Sequence, residues 1–289
     1  MYEGLTPSFL IAFREALEAA LIVVIMAAYL KKIGKAGLNR YLYFGTGAAI
    51  AASMILAVIV QAAYGGLTGV AAGTFEGIAS LTATAVLTYM IFWMSTNAQK
   101  IKGELQQKIN IAITKEQLFG IAALAFVAVF REGLETVLFL TATFFLDPLG
   151  AAIGVSIGFV IVVMLAVFLM KGVYRLDIRK FFTYTSIILL VFAAGLAGYG
   201  VHELIEAGKG SGIEFGILGQ QAYNINPPTN PDGVYPLLHE KGAIGSILKA
   251  LVGYDGNPEW LRIIVYVGYW VIVGTYLLRT YRRKEVSPS

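Results

Sequence analysis

The sequence predicts an all-α integral membrane protein with seven transmembrane helices, with its N-terminus outside and its C-terminus in the cytoplasm. Three observations lead to this prediction. Hydrophobic residues make up 57% of the 289 residues and charged residues only 14%, whereas about a quarter of a soluble domain is charged. Most of the chain falls into long apolar runs, and the basic residues cluster on alternate connections between those runs.

The apolar runs fix the number of predicted spans, because a transmembrane helix needs about 20 mostly apolar residues. Seven runs meet this requirement, at roughly 8–30, 43–64, 76–95, 118–146, 150–170, 182–201 and 261–278. The fourth and fifth are joined by a tight turn at Asp147-Pro148, where the proline ends the preceding helix. In the long connection 202–260, the stretch Ala243–Val252 is either a short amphipathic helix or a plain connector.

The distribution of basic residues predicts the orientation of these spans. Lysine and arginine follow the first, third, fifth and seventh runs, whereas the other connections have few of them. The residues concerned are Lys31, Lys32, Lys35, Arg40, Lys100, Lys102, Lys108, Lys115, Lys171, Arg175, Arg179, Lys180, Arg279, Arg282, Arg283 and Lys284. Cytoplasmic loops carry an excess of such residues. Seven spans satisfy this rule without conflict.

Composition also excludes several classes of function. The net charge of +4 lies in short connections rather than in one basic patch, so nucleic acid is not an expected partner. The chain has no cysteine, which excludes disulfides, thiolate metal sites and cysteine catalysis. With only His202 and His239, a multi-histidine zinc or copper centre is not expected. No organic cofactor is expected either.

One charged motif occurs twice inside the apolar runs. Phe13-Arg-Glu-Ala-Leu-Glu18 in the first run recurs as Phe130-Arg-Glu-Gly-Leu-Glu135 in the fourth. Because an odd number of crossings separates the copies, they traverse the membrane in opposite directions. This pattern predicts an inverted repeat, a common transporter architecture with the substrate site between the repeats. The expected organisation is two three-helix repeats at 1–95 and 96–201, an extracytoplasmic loop at 202–260, and a seventh helix with a basic tail at 261–289.

The motif places charge where the bilayer penalises it. The residues are Arg14, Glu15, Glu18, Arg131, Glu132 and Glu135. Each isolated charge at the membrane centre costs roughly 2.5–3.5 kcal/mol, so the groups must pair, face a cavity or bind a cation. The two glutamates of each copy are three residues apart and share a helix face. If the two faces oppose each other, four carboxylates surround one space.

Carboxylate oxygens favour hard cations such as iron, manganese, magnesium and calcium, and disfavour copper(I). Oxygen ligation does not by itself separate Fe(III) from Fe(II) or Mn(II). The alternative to a metal site is a buried arginine–glutamate network that only ties two helices together. A carboxylate di-iron enzyme is a weaker alternative, because such centres combine glutamate pairs with histidines that neither copy contains.

Two intramembrane R-E-x-x-E motifs in a seven-span protein resemble the oxidase-dependent iron transporter family, which includes the fungal high-affinity iron permeases and the bacterial ferrous-iron permeases. The resemblance covers the whole chain and includes Gly253-Tyr254, Pro258 and Tyr266. It implies that Glu15, Glu18, Glu132 and Glu135 bind iron, with Arg14 and Arg131 supporting them. It also implies a ferroxidase or peroxidase partner on the outer side. The first copy departs from the family pattern with Ala16 in place of glycine, and some relatives are associated with lead.

Further residues are weaker candidates for the outer end of an ion pathway. They are Glu76, His202, Glu203 and Glu206. Glu76 is equally explained as a carboxylate at a helix N-terminus, where the helix dipole favours it, and the other three as an ordinary solvated helix end. Met90 is interpreted as packing. Trp93 is interpreted as packing or as an interfacial anchor.

The expected function is therefore that of an iron permease, not an enzyme, in the cell membrane as a multi-pass protein. Its substrate is the iron ion, Fe2+ or Fe3+, and its surroundings are the lipid bilayer. A transporter of another hard or divalent metal such as manganese or lead, or of an organic cation, remains the main alternative.

Overall fold

The computed structural model describes residues 4–114, 118–170, 178–229 and 235–285, and most of these residues are helical. The helices within these ranges are α1 (Leu5–Lys32), α2 (Asn39–Gly65), α3 (Val70–Thr114), α4 (Leu118–Leu146), α5 (Pro148–Met170), α6 (Ile178–Gly210), α7 (Ala243–Val252) and α8 (Trp260–Glu285). Short 3-10 turns lie at Ala36–Leu38 and Gly216–Gly219, and the described ranges form no β-strand.

Four helical segments of the described chain are long and apolar enough to cross a bilayer. They are Ala36–Gly65, Val70–Trp93, Pro148–Met170 and Thr185–Gly210. These segments coincide with the second, third, fifth and sixth predicted spans. Helices α1 and α4 coincide with the first and fourth, but each carries three charged residues in its middle. The apolar part of α8, Trp260–Tyr276, is shorter.

The third predicted span, 76–95, is part of a longer helix. The segment 100–114, predicted as a basic connecting loop, is instead the continuation of α3. This segment contains lysine, glutamine, glutamate and leucine, which are good helix formers, and a single glycine, Gly103. Leu105, Ile109 and Ala112 lie on one face and are buried against side chains of α1 and α4. Packing of this apolar face explains why the helix continues beyond the span.

Of the two alternatives for the long connection, the structure shows the helix and not the plain connector. Helix α7 covers Ala243–Val252 and ends at Gly253, which has a left-handed φ of 72°. The Gly253 N–H bonds to the carbonyl oxygens of Leu248 and Lys249, so glycine supplies a common form of helix C-cap. Helix α6 is also longer than predicted, because it continues to Gly210 instead of ending near 201.

The backbone packs as two compact units. The first consists of Met1–Gly66 and Val86–Leu189, and the second of Leu67–Ala85 and Leu190–Ser289. Helices α3 and α6 therefore contribute residues to both units. Both copies of the repeated motif lie in the first unit, whereas Glu76 and the acidic end of α6 lie in the second.

Within the first unit, α1 packs most extensively on α5 and α2 on α4, and α1 also packs on α4. Glycines permit these close contacts. Gly154 and Gly158 of α5 lie against the α1 backbone at Leu5 and Phe9, and Gly45 of α2 lies against the carbonyl of Ala122 in α4. A side chain at these glycines would overlap the neighbouring backbone. Small residues are the usual means by which membrane helices approach closely.

Within the second unit, α3 and α6 meet at another pair of glycines. A Cβ on Gly77 would lie 2.8 Å from the carbonyl oxygen of Gly200, and one on Gly200 would lie 2.9 Å from that of Gly77. The segment before α8 is fixed by an ion pair between Arg262 and Asp255, both largely enclosed. The side chain of Arg262 also lies against Gly198 of α6, and this contact holds α6 beside the start of α8.

Candidate metal centre

The repeated motif brings three carboxylates together where α1 packs on α4. One carboxylate oxygen from each of Glu15, Glu132 and Glu135 lies within 4.8 Å of the others. Glu15 comes from the first copy of the motif, and the other two come from the second. The i, i+3 spacing in α4 places Glu132 and Glu135 on one face of the helix. Both copies of the motif therefore contribute to one cluster.

The cluster is buried and has unused acceptor oxygens. Glu15 is 1% exposed and Glu132 5% exposed. The Oε2 atoms of Glu15, Glu132 and Glu135 have no hydrogen-bond partner among the described residues. Buried carboxylate oxygens of this kind are costly unless they bind a donor, a proton or a cation. The donor set consists only of oxygen, which fits a hard cation such as iron or manganese.

Arg14 compensates part of the negative charge from inside the protein. Its side chain is fully buried, and Nη1 donates to Glu15 Oε1 at 2.5 Å. Nη2 forms an ion pair with Glu18 Oε1 at 2.8 Å. Nη1 also lies 3.8 Å from the sulfur of Met90. The fourth predicted ligand, Glu18, is paired with Arg14 and is not among the three carboxylates within 4.8 Å of one another, although its charge acts on Glu132.

Arg131, the second arginine of the motif, has different surroundings. Its Nε donates to Glu135 Oε1 at 3.0 Å, and 47% of its side chain is exposed. Its guanidinium carbon lies 5.0 Å from the centre of the Trp93 ring, within the range of a cation–π interaction. Each arginine therefore binds glutamates of its own motif copy, but only Arg14 is enclosed.

The single difference between the two motif copies has a packing explanation. Gly133, in the second copy, faces Ser53 of α2 so closely that any side chain would overlap it. Ser53 itself is held by a hydrogen bond to the carbonyl of Ala49. The equivalent Ala16 lies beside the apolar cluster of Leu17 and its neighbours, where a methyl group fits. The glycine is required by the contact between α2 and α4, and the alanine is tolerated.

Three of the four weaker candidates, Glu76, Glu203 and Glu206, form polar contacts within the second unit. The Tyr199 hydroxyl donates to Glu76 Oε2 at 2.8 Å and is also in hydrogen-bond contact with Glu203. Glu206, by contrast, pairs with the exposed Lys209 at 2.9 Å. Glu76 and Glu203 therefore meet at one tyrosine, which the sequence analysis did not single out. The signal was present, since Tyr199 lies four residues before Glu203 and on the same helix face.

His202 has a partner that sequence alone could not identify. Its Nδ1 lies 2.8 Å from Glu259 Oε1, and Glu259 precedes α8 in the chain. Burial opposes ionisation of Glu259, but the hydrogen bond from His202 and its charge hold the pKa of that carboxyl below its usual value. The pair fastens the start of α8 to α6.

Met90 and Trp93 contact the two arginines of the motif, although the sequence predicted different roles for them. Met90 was interpreted as packing, and it is buried, but its sulfur contacts Arg14. Trp93 was interpreted as packing or as an anchor, and it does pack on the Leu17 cluster. Its ring face is at the same time the contact of Arg131. No local sequence pattern connects α3 to either arginine.

Comparison with known proteins shows the family to which the chain belongs. The chain matches the iron permease FTR1 family over residues 5–280. It is 41% identical over 274 residues to an uncharacterised protein of Archaeoglobus fulgidus, with 94% of each chain covered. It is 31% identical over 274 residues to the ferrous iron permease EfeU of Yersinia pseudotuberculosis, covering 94% of this chain and 91% of the relative.

A further relative is the ferrous iron permease EfeU of an Escherichia coli O6:K15:H31 strain, 31% identical over 270 residues, with 91% of each chain covered. No solved structure matches. The match extends over nearly the whole chain and includes both helices that form the carboxylate cluster. The chain belongs to the iron permease FTR1 family.

Proposed function

We propose that this protein is an iron permease of the cell membrane and that iron passes through a centre formed by Glu15, Glu132 and Glu135. The observation that carries the proposal is the convergence of three carboxylates from both motif copies to within 4.8 Å. Membership of the iron permease family and the relatives named ferrous iron permease support iron as the transported ion.

The charges of the centre suit a cation. Three carboxylates face one space, and each has an Oε2 atom that no described protein group satisfies. A divalent or trivalent ion would bind these oxygens and compensate their charge in a region from which water is largely excluded. Glu18 supports the centre by binding Arg14, which in turn holds Glu15. Arg131 has the corresponding role for Glu135.

The proposed topology has seven transmembrane helices, an outer N-terminus and a cytoplasmic C-terminus, with three-helix repeats at 1–95 and 96–201. Helix pairing supports the repeat. A pseudo-twofold axis that exchanges α1 with α4 and α2 with α5 converts the α1–α5 pair into the α4–α2 pair. These are the two most extensively packed helix pairs in the first unit. The seventh spanning helix is α8, whose basic end at 277–285 lies on the cytoplasmic side.

In this topology Glu76, His202, Glu203 and Glu206 lie toward the outer side. We assign Glu76 and Glu203, joined by Tyr199, to the outer part of the ion pathway. His202 secures α8 through Glu259, and Glu206 lies at the surface with Lys209. The loop 202–260 is the proposed docking region for a ferroxidase or peroxidase partner, because it is the largest segment outside the membrane.

Uptake by purified protein in liposomes tests this function. Proteoliposomes receive Fe(II) under anaerobic conditions or chelated Fe(III), each with and without a pH gradient. We expect uptake of one iron form by the native protein, and loss of uptake with Glu15→Gln or Glu132→Gln. Each change removes a ligand charge but preserves the shape of the side chain. Glu104→Gln, at an exposed position of α3, is the matched control and retains uptake.

Competition experiments separate iron from the alternative substrates. Excess Mn(II) or Pb(II) is added to the same liposomes, and direct uptake of each metal is measured. An iron permease accumulates iron in preference to both. Faster uptake of manganese or lead than of iron would reassign the substrate, and normal iron uptake by Glu15→Gln and Glu132→Gln would remove the carboxylate centre from the pathway.

A further inference from the structure

The two arginines of the repeated motif differ in how firmly they are held. Arg14 is fully enclosed, contacts two carboxylates and lies against Met90. Arg131 contacts one carboxylate, Glu135, and nearly half of its side chain is exposed. Moving Arg14 would leave two buried carboxylates without their counter-ion, which is strongly unfavourable. Moving Arg131 would leave only one carboxylate, Glu135, without its counter-ion, so its displacement breaks fewer contacts than that of Arg14.

Glu135 is the point at which a cation and an arginine compete. It is one of the three converging carboxylates, and its Oε1 atom is occupied by Arg131 Nε at 3.0 Å. A cation at the free Oε2 atom of Glu135 repels the nearby guanidinium, and a cation bound to both oxygens of Glu135 must displace it. The displaced charge then needs a new environment inside a largely apolar protein.

Trp93 provides that environment. Its ring centre is 5.0 Å from the Arg131 guanidinium carbon, and tryptophan is the strongest aromatic partner for a cation. The Trp93 side chain also packs against the apolar cluster of Leu17, Leu21 and Val162. A short movement of Arg131 away from Glu135 would keep its guanidinium on the face of the indole.

We propose that Arg131 is the movable counter-ion of the carboxylate centre, and that Trp93 is the positioning residue that holds its guanidinium when Glu135 binds the transported cation. Arg14 remains in place throughout. This inference rests on the proposed function, because it requires a cation at the centre. It assigns unequal roles to two arginines that occupy equivalent positions in the repeat.

The test is a double-mutant cycle read by Fe(II) affinity. Anaerobic titration calorimetry measures the Kd of purified native protein, Trp93→Leu, Arg131→Gln and the double variant. Trp93→Leu keeps an apolar side chain but removes the ring face. The ring already contacts Arg131 while the Glu135 ion pair is intact, so the Kd reports only the strengthening of the cation–π interaction after Glu135 is lost, and we expect it to rise about 3- to 10-fold. In the Arg131→Gln background the same change has no further effect, because no guanidinium remains to be held.

The cycle distinguishes positioning from packing. If Trp93 only fills space, Trp93→Leu weakens binding equally with and without Arg131, and the inference is overturned. Trp270→Leu, in α8, is the control and leaves the Kd unchanged. Should Trp93→Leu fail to fold, Trp93→Phe replaces it, with a smaller increase in Kd that again disappears in the Arg131→Gln background.

The result also separates this inference from the proposed function. Native protein that binds no Fe(II) contradicts the carboxylate centre itself. Native protein that binds Fe(II), combined with a Trp93→Leu variant of unchanged Kd, leaves the permease proposal intact and removes only the role of Trp93.

Discussion

Glu18 and Glu135 occupy equivalent positions in the two motif copies but have different neighbours. Glu135 is one of the three converging carboxylates, whereas Glu18 forms an ion pair with the fully buried Arg14. Under the proposed function, Glu135 is a ligand and Glu18 holds Arg14, although the two residues are equivalent in the repeat.

This difference predicts that two matched substitutions affect different properties, metal affinity in one case and thermal stability in the other. Glu135→Gln removes a ligand charge, so we expect Fe(II) affinity to fall by more than about tenfold, or about 1.4 kcal/mol, with little change in thermal stability. Glu18→Gln leaves three ligands but weakens a buried ion pair. Breaking such a pair costs up to about 3–5 kcal/mol, so the main effect is a lower Tm.

Titration calorimetry and thermal unfolding of the same two preparations measure these effects. An equal loss of affinity in both variants would show that all four glutamates bind the ion. An unchanged Tm of Glu18→Gln would show that the ion pair between Arg14 and Glu18 does not stabilise the fold.

The sequence predicted the chemistry of these residues better than their grouping. Charged glutamates in apolar runs, repeated at the same spacing, include the three whose carboxylates converge in the structure. The sequence does not determine which carboxylates converge, since Arg14 is within reach of both Glu15 and Glu18 on its own helix. The contacts of Met90 and Trp93 were not predicted because they depend on how α3 packs against α1 and α4.

At the scale of helices, close packing of α5 on α1 positions the first copy of the motif. Gly154 of α5 lies against the backbone of Leu5 and Phe9, and the same helix α1 carries Glu15 two turns later. A larger residue in α5 must push α1 away, and this shift would separate Glu15 from the two glutamates of α4.

We therefore expect Gly154→Ala to lower both stability and metal affinity. Overpacking of this kind typically costs about 1–3 kcal/mol, and thermal unfolding in detergent measures it. Gly47→Ala is the control, because a Cβ at this helical position of α2 meets nothing within 4 Å. That change should be neutral or stabilising by up to about 1 kcal/mol, the difference in helix propensity. Similar destabilisation by both substitutions would mean that backbone contact is not the cause.

Helix positions were easier to predict than helix ends. The apolar runs located the middle of each span, because the requirement for about 20 apolar residues is strong. The continuation of α3 through 100–114 was missed, since lysine and glutamine indicate a loop near a membrane but also favour helix. Burial of Leu105 and Ile109 decides between these readings, and burial is a property of the tertiary structure.

At the scale of the molecule, helix pairing and charge distribution point to the same architecture. An inverted repeat requires that α1 pair with α5 as α4 pairs with α2, and these are the dominant pairs of the first unit. It also requires equivalent connections to lie on opposite sides of the membrane. The connection after α1 is basic, whereas the connection after α4 has no lysine or arginine, and this is the charge pattern that such a repeat predicts.

The absence of cysteine from the chain makes the proposed topology directly testable. A single cysteine introduced as Thr68→Cys, in the exposed connection between α2 and α3, should react with a membrane-impermeant thiol reagent in intact cells. Lys35→Cys, exposed between α1 and α2, should react only after the cells are permeabilised. The positive-inside rule gives this assignment, because the first of these connections lacks lysine and arginine and the second is rich in both.

The labelling pattern has consequences for the ion pathway as well as for orientation. If Lys35→Cys is labelled in intact cells and Thr68→Cys is not, the whole chain is inverted, and Glu76 and Glu203 would face the cytoplasm. The tyrosine-linked pair would then lie where the ion leaves. Labelling of both positions would mean that α2 does not cross the membrane, and the pseudo-twofold relation between α2 and α5 would fail with it. Only the expected pattern is compatible with iron entering past Glu76 and reaching the three carboxylates between α1 and α4.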